Sequence, residues 1–174
     1  LHLADARPRP PRRRGPRRRA LSVRTVLQRV TSAQVRVDDE VVGAIGPGLV
    51  ALVGVTHGDG PDEVATTVRK IAELRLFTPE GDGGERSVEE TGGEVLVVSQ
   101  FTLHADVRKG RRPSWGAAAP GPVAEPVVAA VADGLRERGI GVATGRFGAM
   151  MEVALVGDGP VTIVLDVPPV GSPA

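Results

Sequence analysis

The sequence predicts an α/β (mixed α+β) fold: a mostly antiparallel or mixed sheet of about seven strands with two helices packed on it. Three observations predict it. Apolar runs of strand length follow one another early with only short turns between them, and two more flank a Gly/Pro turn near the end. One segment carries helical apolar spacing after a capping signal, and a second is Ala/Val-rich between prolines and a Gly stop. The regular strand–helix alternation of a doubly wound fold is missing. No internal repeat is present.

The elements follow in order. "VRTVLQRV" (23–30) reads as a strand, and "QVRV" and "VVGAI" as a hairpin turning at Asp38, Asp39 and Glu40. "GPG" (46–48) is a turn and "LVALVGVT" an apolar strand. Asp59 or Gly60 sits at a helix N-cap with Pro61 in the first turn. Val64, Val68, Ile71 and Ala72 then give helical spacing to about Leu74. "TPEGDGGER" reads as a loop, and "GGEVLVVSQFTL" as a turn and a strand buried on both faces. The second helix is expected from about Val123 to the Gly139 stop, which puts Pro126 in its first turn. A strand near "VAT", a "GRFGAMM" connection, and a late hairpin "EVALV"–"GDGP"–"VTIVLD" complete the sheet.

Composition removes several function classes. With three Phe, one Trp and no Tyr, an RRM-like or OB-like single-strand binder is disfavoured. No Cys means no disulfide, no thiolate zinc site and no Cys nucleophile; His2, His57 and His104 are isolated, without metal-ligand spacing. No apolar run reaches membrane-spanning length, and with no secretory signal the expected compartment is the cytoplasm. Eight of the 22 basic residues fall in the first 20 positions, whereas residues 21–174 hold 14 basic and 20 acidic residues. Residues 1–22 are expected to be a disordered Arg/Pro-rich leader outside the working domain, with Val23 as an alternative start. A functional reading would make them an RNA-binding arm. The domain is expected over 23–167, with 168–174 a loose tail.

Three features could carry chemistry. The apolar run ends in Ser99, Gln100, Phe101 and Thr102. Neither hydroxyl has an evident base, since His104 reads as an exposed loop residue, and strand-end hydroxyls commonly just satisfy the backbone. Backbone N–H groups at such an irregular end can instead hold a developing oxyanion, worth about 3–4 kcal/mol per good donor. Next, Arg108, Lys109, Arg111 and Arg112 place four cations within five residues on an otherwise acidic domain: either a solvated loop or a phosphate-binding one. Third, "GDGPVT" is either a plain hairpin or a turn where a cis X-Pro bond costs only about 0.5–1 kcal/mol. Such a turn projects two carbonyls with no side chain in the way.

Together with "VLQRVTSAQVRVDDEVVGAIGPGLVALVGVT", "RKIAELRLF" and "TGRFGAMMEVALV", the segments "SQFTLHADVRKGRRPSW" and "GPVT" resemble the D-aminoacyl-tRNA deacylase (DTD) family over about residues 23–166. The resemblance implies a single DTD-like domain in a cytoplasmic homodimer that uses no metal or cofactor. It implies hydrolysis of the ester between a D-amino acid and the 3′-terminal adenosine of tRNA, and of glycyl-tRNA mischarged on tRNA-Ala. By resemblance, Ser99, Gln100, Phe101 and Thr102 line the pocket and offer backbone amides. Gly159 and Pro160 form a cis pair that enters the partner's site and excludes L-amino acids. Arg29 braces that pair, the basic loop binds tRNA, and the tRNA's own 2′-hydroxyl supplies much of the catalysis. The chain departs from the family pattern at Gly157 (usually Asn), Met150 (usually acidic) and His104 (usually Tyr). The competing readings are an esterase with Thr102 or Ser99 as nucleophile and a non-catalytic tRNA-binding protein.

Overall fold

Strand β1, Arg24–Val37, organises the architecture. The structure, a computed structural model, describes residues 22–81 and 83–169; the leader up to residue 21 and the tail beyond residue 169 lie outside the described residues. Ser22, expected in the leader, is buried and its hydroxyl donates to the Asp59 carboxylate, so the folded part begins one residue before Val23. The 14 residues of β1 are long enough for three partners. Its second half pairs with β2 (Glu40–Ile45) and its first half with β3 (Gly48–Gly54). Its other edge pairs antiparallel with β8 (Glu152–Asp166) along nearly its whole length. β3 continues the sheet in parallel to β6 (Glu94–Ser99), and β6 in parallel to β7 (Gly141–Thr144). The order is β2-β1-β3-β6-β7. The sheet curls until its ends touch: a Cβ on Gly43 of β2 would lie 2.3 Å from the Thr144 carbonyl oxygen of β7.

This near-closure creates two cores and explains why the β6 run is apolar on both faces. Val95 and Val97 pack toward helices α1 (Pro61–Glu73) and α3 (Gly121–Glu137), against Ile71, Val131 and Leu135. Leu96 and Val98 point the other way, into the curl, with Val30, Val35 and Val50. Alternation along a strand delivers one face to each core. α1 starts at an N-cap Gly60 whose N–H donates to the Glu63 carboxylate at 2.9 Å. α3 meets it through Gly134, where a Cβ would lie 2.8 Å from Val68 Cγ2. Arg24 clamps the open ends of β1 and β8 by donating to both Asp166 carboxylate oxygens, at 2.6 and 3.0 Å.

Several local expectations are corrected. The two early strands are one, since Thr31 and Ser32 continue β1. The late hairpin does not form. Its two halves are the single strand β8, because β1 offers an unbroken edge and backbone pairing outweighs the local Gly/Pro turn signal. The surplus residues bulge out: Val30 faces Gly157 and Gln28 faces Thr162, so residues 158–161 stand opposite Arg29 alone. A third helix, α2 (Val88–Thr91), follows the small ladder β4 (Arg75–Phe77) and β5 (Arg86–Ser87). Its four residues are too few to show periodicity. A capping box holds it, with Glu90 N–H donating to Ser87 Oγ and Ser87 N–H to the Glu90 carboxylate. α3 begins two residues before Val123, which moves Pro126 into the second turn. The carbonyl of Pro122 that it leaves without an intrahelical donor lies on the exposed face.

Candidate active site

β6 stops because its last residues turn away from the sheet. Gln100 N–H still donates to the Val53 carbonyl of β3 at 2.7 Å, and the chain then winds into a 3₁₀ turn over Phe101–His104. Phe101 and Thr102 head this turn, so their N–H groups have no partner within it. Ser99, Gln100, Phe101 and Thr102 form one wall of a cavity of about 550 Å³. The start of α3 forms another, where Gly121 and Ala124 leave the space open. The loop 147–151 closes the third side. That loop went unread as a site element. Its signal is weak, an apolar stretch around Gly148 at φ 75°, with Met150 93% exposed at the rim. Ser99 also opens onto an adjoining space of about 310 Å³ bordered by Glu125, Thr144 and Arg146.

Among the described residues the hydroxyls have no base bonded to them. Thr102 Oγ1 accepts a hydrogen bond from the Gln100 side-chain amide. No imidazole or carboxylate among the described residues bonds to Ser99 or Thr102. His104 is not the exposed loop residue expected from sequence; it is 3% exposed, and neither ring nitrogen has a partner among the described residues. The 3₁₀ turn folds it back onto β3, where a Cβ on Gly54 would come within 3.1 Å of its Cδ2. Asp106 is engaged elsewhere, in an ion pair with Arg108 that raises the Arg108 pKa above its usual value. The arrangement sets polar side chains and the N–H groups at the head of a 3₁₀ turn beside a cavity, and among the described residues it does not assemble a nucleophile–base–acid chain.

The basic loop projects beside this wall. Asp106 and Ser114 exchange two backbone hydrogen bonds of 2.9 Å, which pinch off residues 107–113 as an exposed loop. Arg108 folds back on Asp106, whereas Lys109, Arg111 and Arg112 form no ion pair with any described residue.

Gly159 and Pro160 lie apart from the cavity of their own chain. Their peptide bond is cis, and both residues are exposed on the β8 bulge. Arg29, 17% exposed in its side chain, does reach the bulge. It donates to the Asp158 carbonyl at 3.2 Å, pairs with the Asp158 carboxylate at 3.1 Å, and also donates to the Leu76 carbonyl. Gly159 has φ 129°, and a Cβ there would lie 2.8 Å from the Val161 nitrogen, so the position requires glycine. At Gly157 a Cβ would meet nothing within 4 Å, so the side chain missing there leaves open space.

Residues 26–166 match the family model described as D-Tyr-tRNA(Tyr) deacylase. The D-aminoacyl-tRNA deacylase of Beutenbergia cavernae is 63% identical over 145 residues, covering 83% of this chain and 99% of that protein. That of Kineococcus radiotolerans is 60% identical over the same shares. Among solved structures, the c-Myc DNA unwinding element binding protein matches with a TM-score of 0.77 at 40% identity, over 83% of this chain and 99% of that one. A probable eukaryotic D-amino acid tRNA deacylase shares the fold, with a TM-score of 0.73 at 20% identity over 83% and 99% of the two chains. With identity this high across nearly the whole length of its relatives, the chain belongs to the D-Tyr-tRNA(Tyr) deacylase family.

Proposed function

We propose that the protein hydrolyses the ester of D-aminoacyl-tRNA, releasing the free D-amino acid and tRNA. One observation carries this beyond family membership: the wall Ser99–Thr102 sets polar groups into a cavity of about 550 Å³, and neither hydroxyl there is bonded to a base among the described residues. A substrate that brings its own hydroxyl suits such a site. The 2′-OH of the terminal ribose is adjacent to the ester, and proximity of that kind is worth roughly 7–11 kcal/mol. The amides heading the 3₁₀ turn stabilise the oxyanion. The rival reading, with Thr102 as nucleophile, is disfavoured by the Gln100 amide on its oxygen.

The test compares release of D-tyrosine from D-Tyr-tRNA by the wild type and by Thr102→Ala. Both should turn over at rates within about tenfold. A loss above about a thousandfold in the variant would make Thr102 a committed catalytic group, and no release by either would leave only tRNA binding.

Lys109, Arg111 and Arg112 are proposed to hold tRNA phosphates, since like charges that form no ion pair among the described residues, on an acidic domain, suit a polyanion. Replacing Arg111 and Arg112 together by Ala should weaken tRNA binding. It should also reduce the slope of log affinity against log salt by somewhat under about one unit per lost phosphate contact. An unchanged slope would reduce the loop to a solvated one.

Selection against L-amino acids is assigned to Gly159 and Pro160 of a second copy, in a homodimer. Two features support this. The bulge is exposed and outside its own cavity, and β8 is an edge strand that also exposes Val153, Val156 and Val164. Apolar side chains on an unpaired edge suit a self-complementary interface. A rigid wall rejects by collision, which discriminates more than attraction between mirror images can. Glycine has no side chain to collide, so glycyl-tRNA should also be accepted.

A further inference from the structure

The chain has four aromatic side chains, and two of them stand together on the surface. Phe101 is 54% and Trp115 41% exposed, and their rings meet edge to face, with centroids 5.2 Å apart and planes at 73°. Folding normally buries such rings. Phe101 belongs to the cavity wall and Trp115 does not, so the pair runs from the cavity outward. Trp115 directly follows Ser114, whose two hydrogen bonds to Asp106 fix the base of the cationic loop. A π-surface beside the cavity is thus joined, through one short bridge, to Lys109, Arg111 and Arg112. Bases stacked on aromatic rings with phosphates against cations is the arrangement that binds unpaired nucleic acid. A second copy of this chain packed face to face on the same patch would set the two cationic loops against each other.

We propose that Trp115, braced by Phe101, stacks the base of an unpaired nucleotide of the RNA strand whose 3′ end enters the cavity, the one preceding the esterified nucleotide. The deacylase reading supplies the identity of that strand; the stacking itself does not depend on turnover.

Trp115 is the single tryptophan of the chain, so intrinsic emission reports on it alone. Deacylated tRNA ending in CCA should quench that emission on titration. The same tRNA trimmed of its 3′-terminal CCA should not, even at concentrations where it binds. Trp115→Leu should weaken binding of the CCA-ended tRNA about five- to a hundredfold. Its KM for D-Tyr-tRNA should rise with little change in kcat, and Trp115→Phe should restore most of the affinity. Emission unmoved by saturating tRNA, or Trp115→Leu binding as tightly as the wild type while melting normally, would overturn the proposal. So would emission that changes with protein concentration and ignores RNA, which would mean that a second copy covers the rings. Quenching without hydrolysis of D-Tyr-tRNA would sink the deacylase reading and leave the stacking site standing; hydrolysis without quenching would do the reverse.

Discussion

Replacing Arg29 by Ala should cut the preference for D- over L-aminoacyl-tRNA by at least about tenfold. The guanidinium holds the β8 bulge through the carbonyl and carboxylate of Asp158, one residue before Gly159, and ties it to the Leu76 carbonyl. A wall that rejects by collision works only while it cannot yield. Relaxation that relieves about 1.4 kcal/mol of a clash concedes a factor of ten. Arg29→Lys should fail almost as badly, because an ammonium cannot span partners that a planar fork reaches together. The fold should survive with a loss of about 1–3 kcal/mol, discounted from the cost of breaking a fully buried pair because Asp158 is half exposed. Paired kcat/KM values for D- and L-Tyr-tRNA, with a melting curve for each variant, check this. An unchanged ratio would show that the bulge plays no part in selection.

Gly48→Ala should be the most damaging single methyl in the sheet. Gly48 pairs with Glu94 across β3 and β6, and a Cβ there would sit 1.9 Å from the Glu94 carbonyl oxygen. That atom is backbone, so the two strands would have to separate, in the middle of the sheet that carries the cavity wall. Overpacking costs typically about 1–3 kcal/mol, and this case belongs at the top of that range or above it. For a domain of this size about 3 kcal/mol lowers Tm by roughly 6–12 °C. Chemical denaturation should show a lower midpoint at unchanged m. A variant as stable as the wild type would contradict the pairing register.

What was legible in the sequence was local. The β6 run announced burial on both faces, and the polar residues that end it marked the cavity wall, because a change from apolar to polar within one strand is visible in six residues. The cationic loop was legible for the same reason. The features misread depend on distant partners. "GDGP" looks like a turn until the 14 residues of β1 are laid beside it. His104 looks like a loop residue until the 3₁₀ turn presses it against Gly54. Arg29 and Asp158 are 129 positions apart; the family resemblance tied Arg29 to the Gly159–Pro160 pair, and nothing in the sequence pointed to Asp158 as its partner. The loop 147–151 has no polar signature at all; it became part of the site through where β7 and β8 place it.

The most direct test of the account is the ratio of kcat/KM for D-Tyr-tRNA and L-Tyr-tRNA, measured on one tRNA with the wild-type protein. The account predicts rapid release of D-tyrosine, and release of L-tyrosine slower by several orders of magnitude. Equal hydrolysis of both esters would contradict the assignment of chiral selection to the bulge of a partner chain, and hydrolysis of neither would contradict the active site itself.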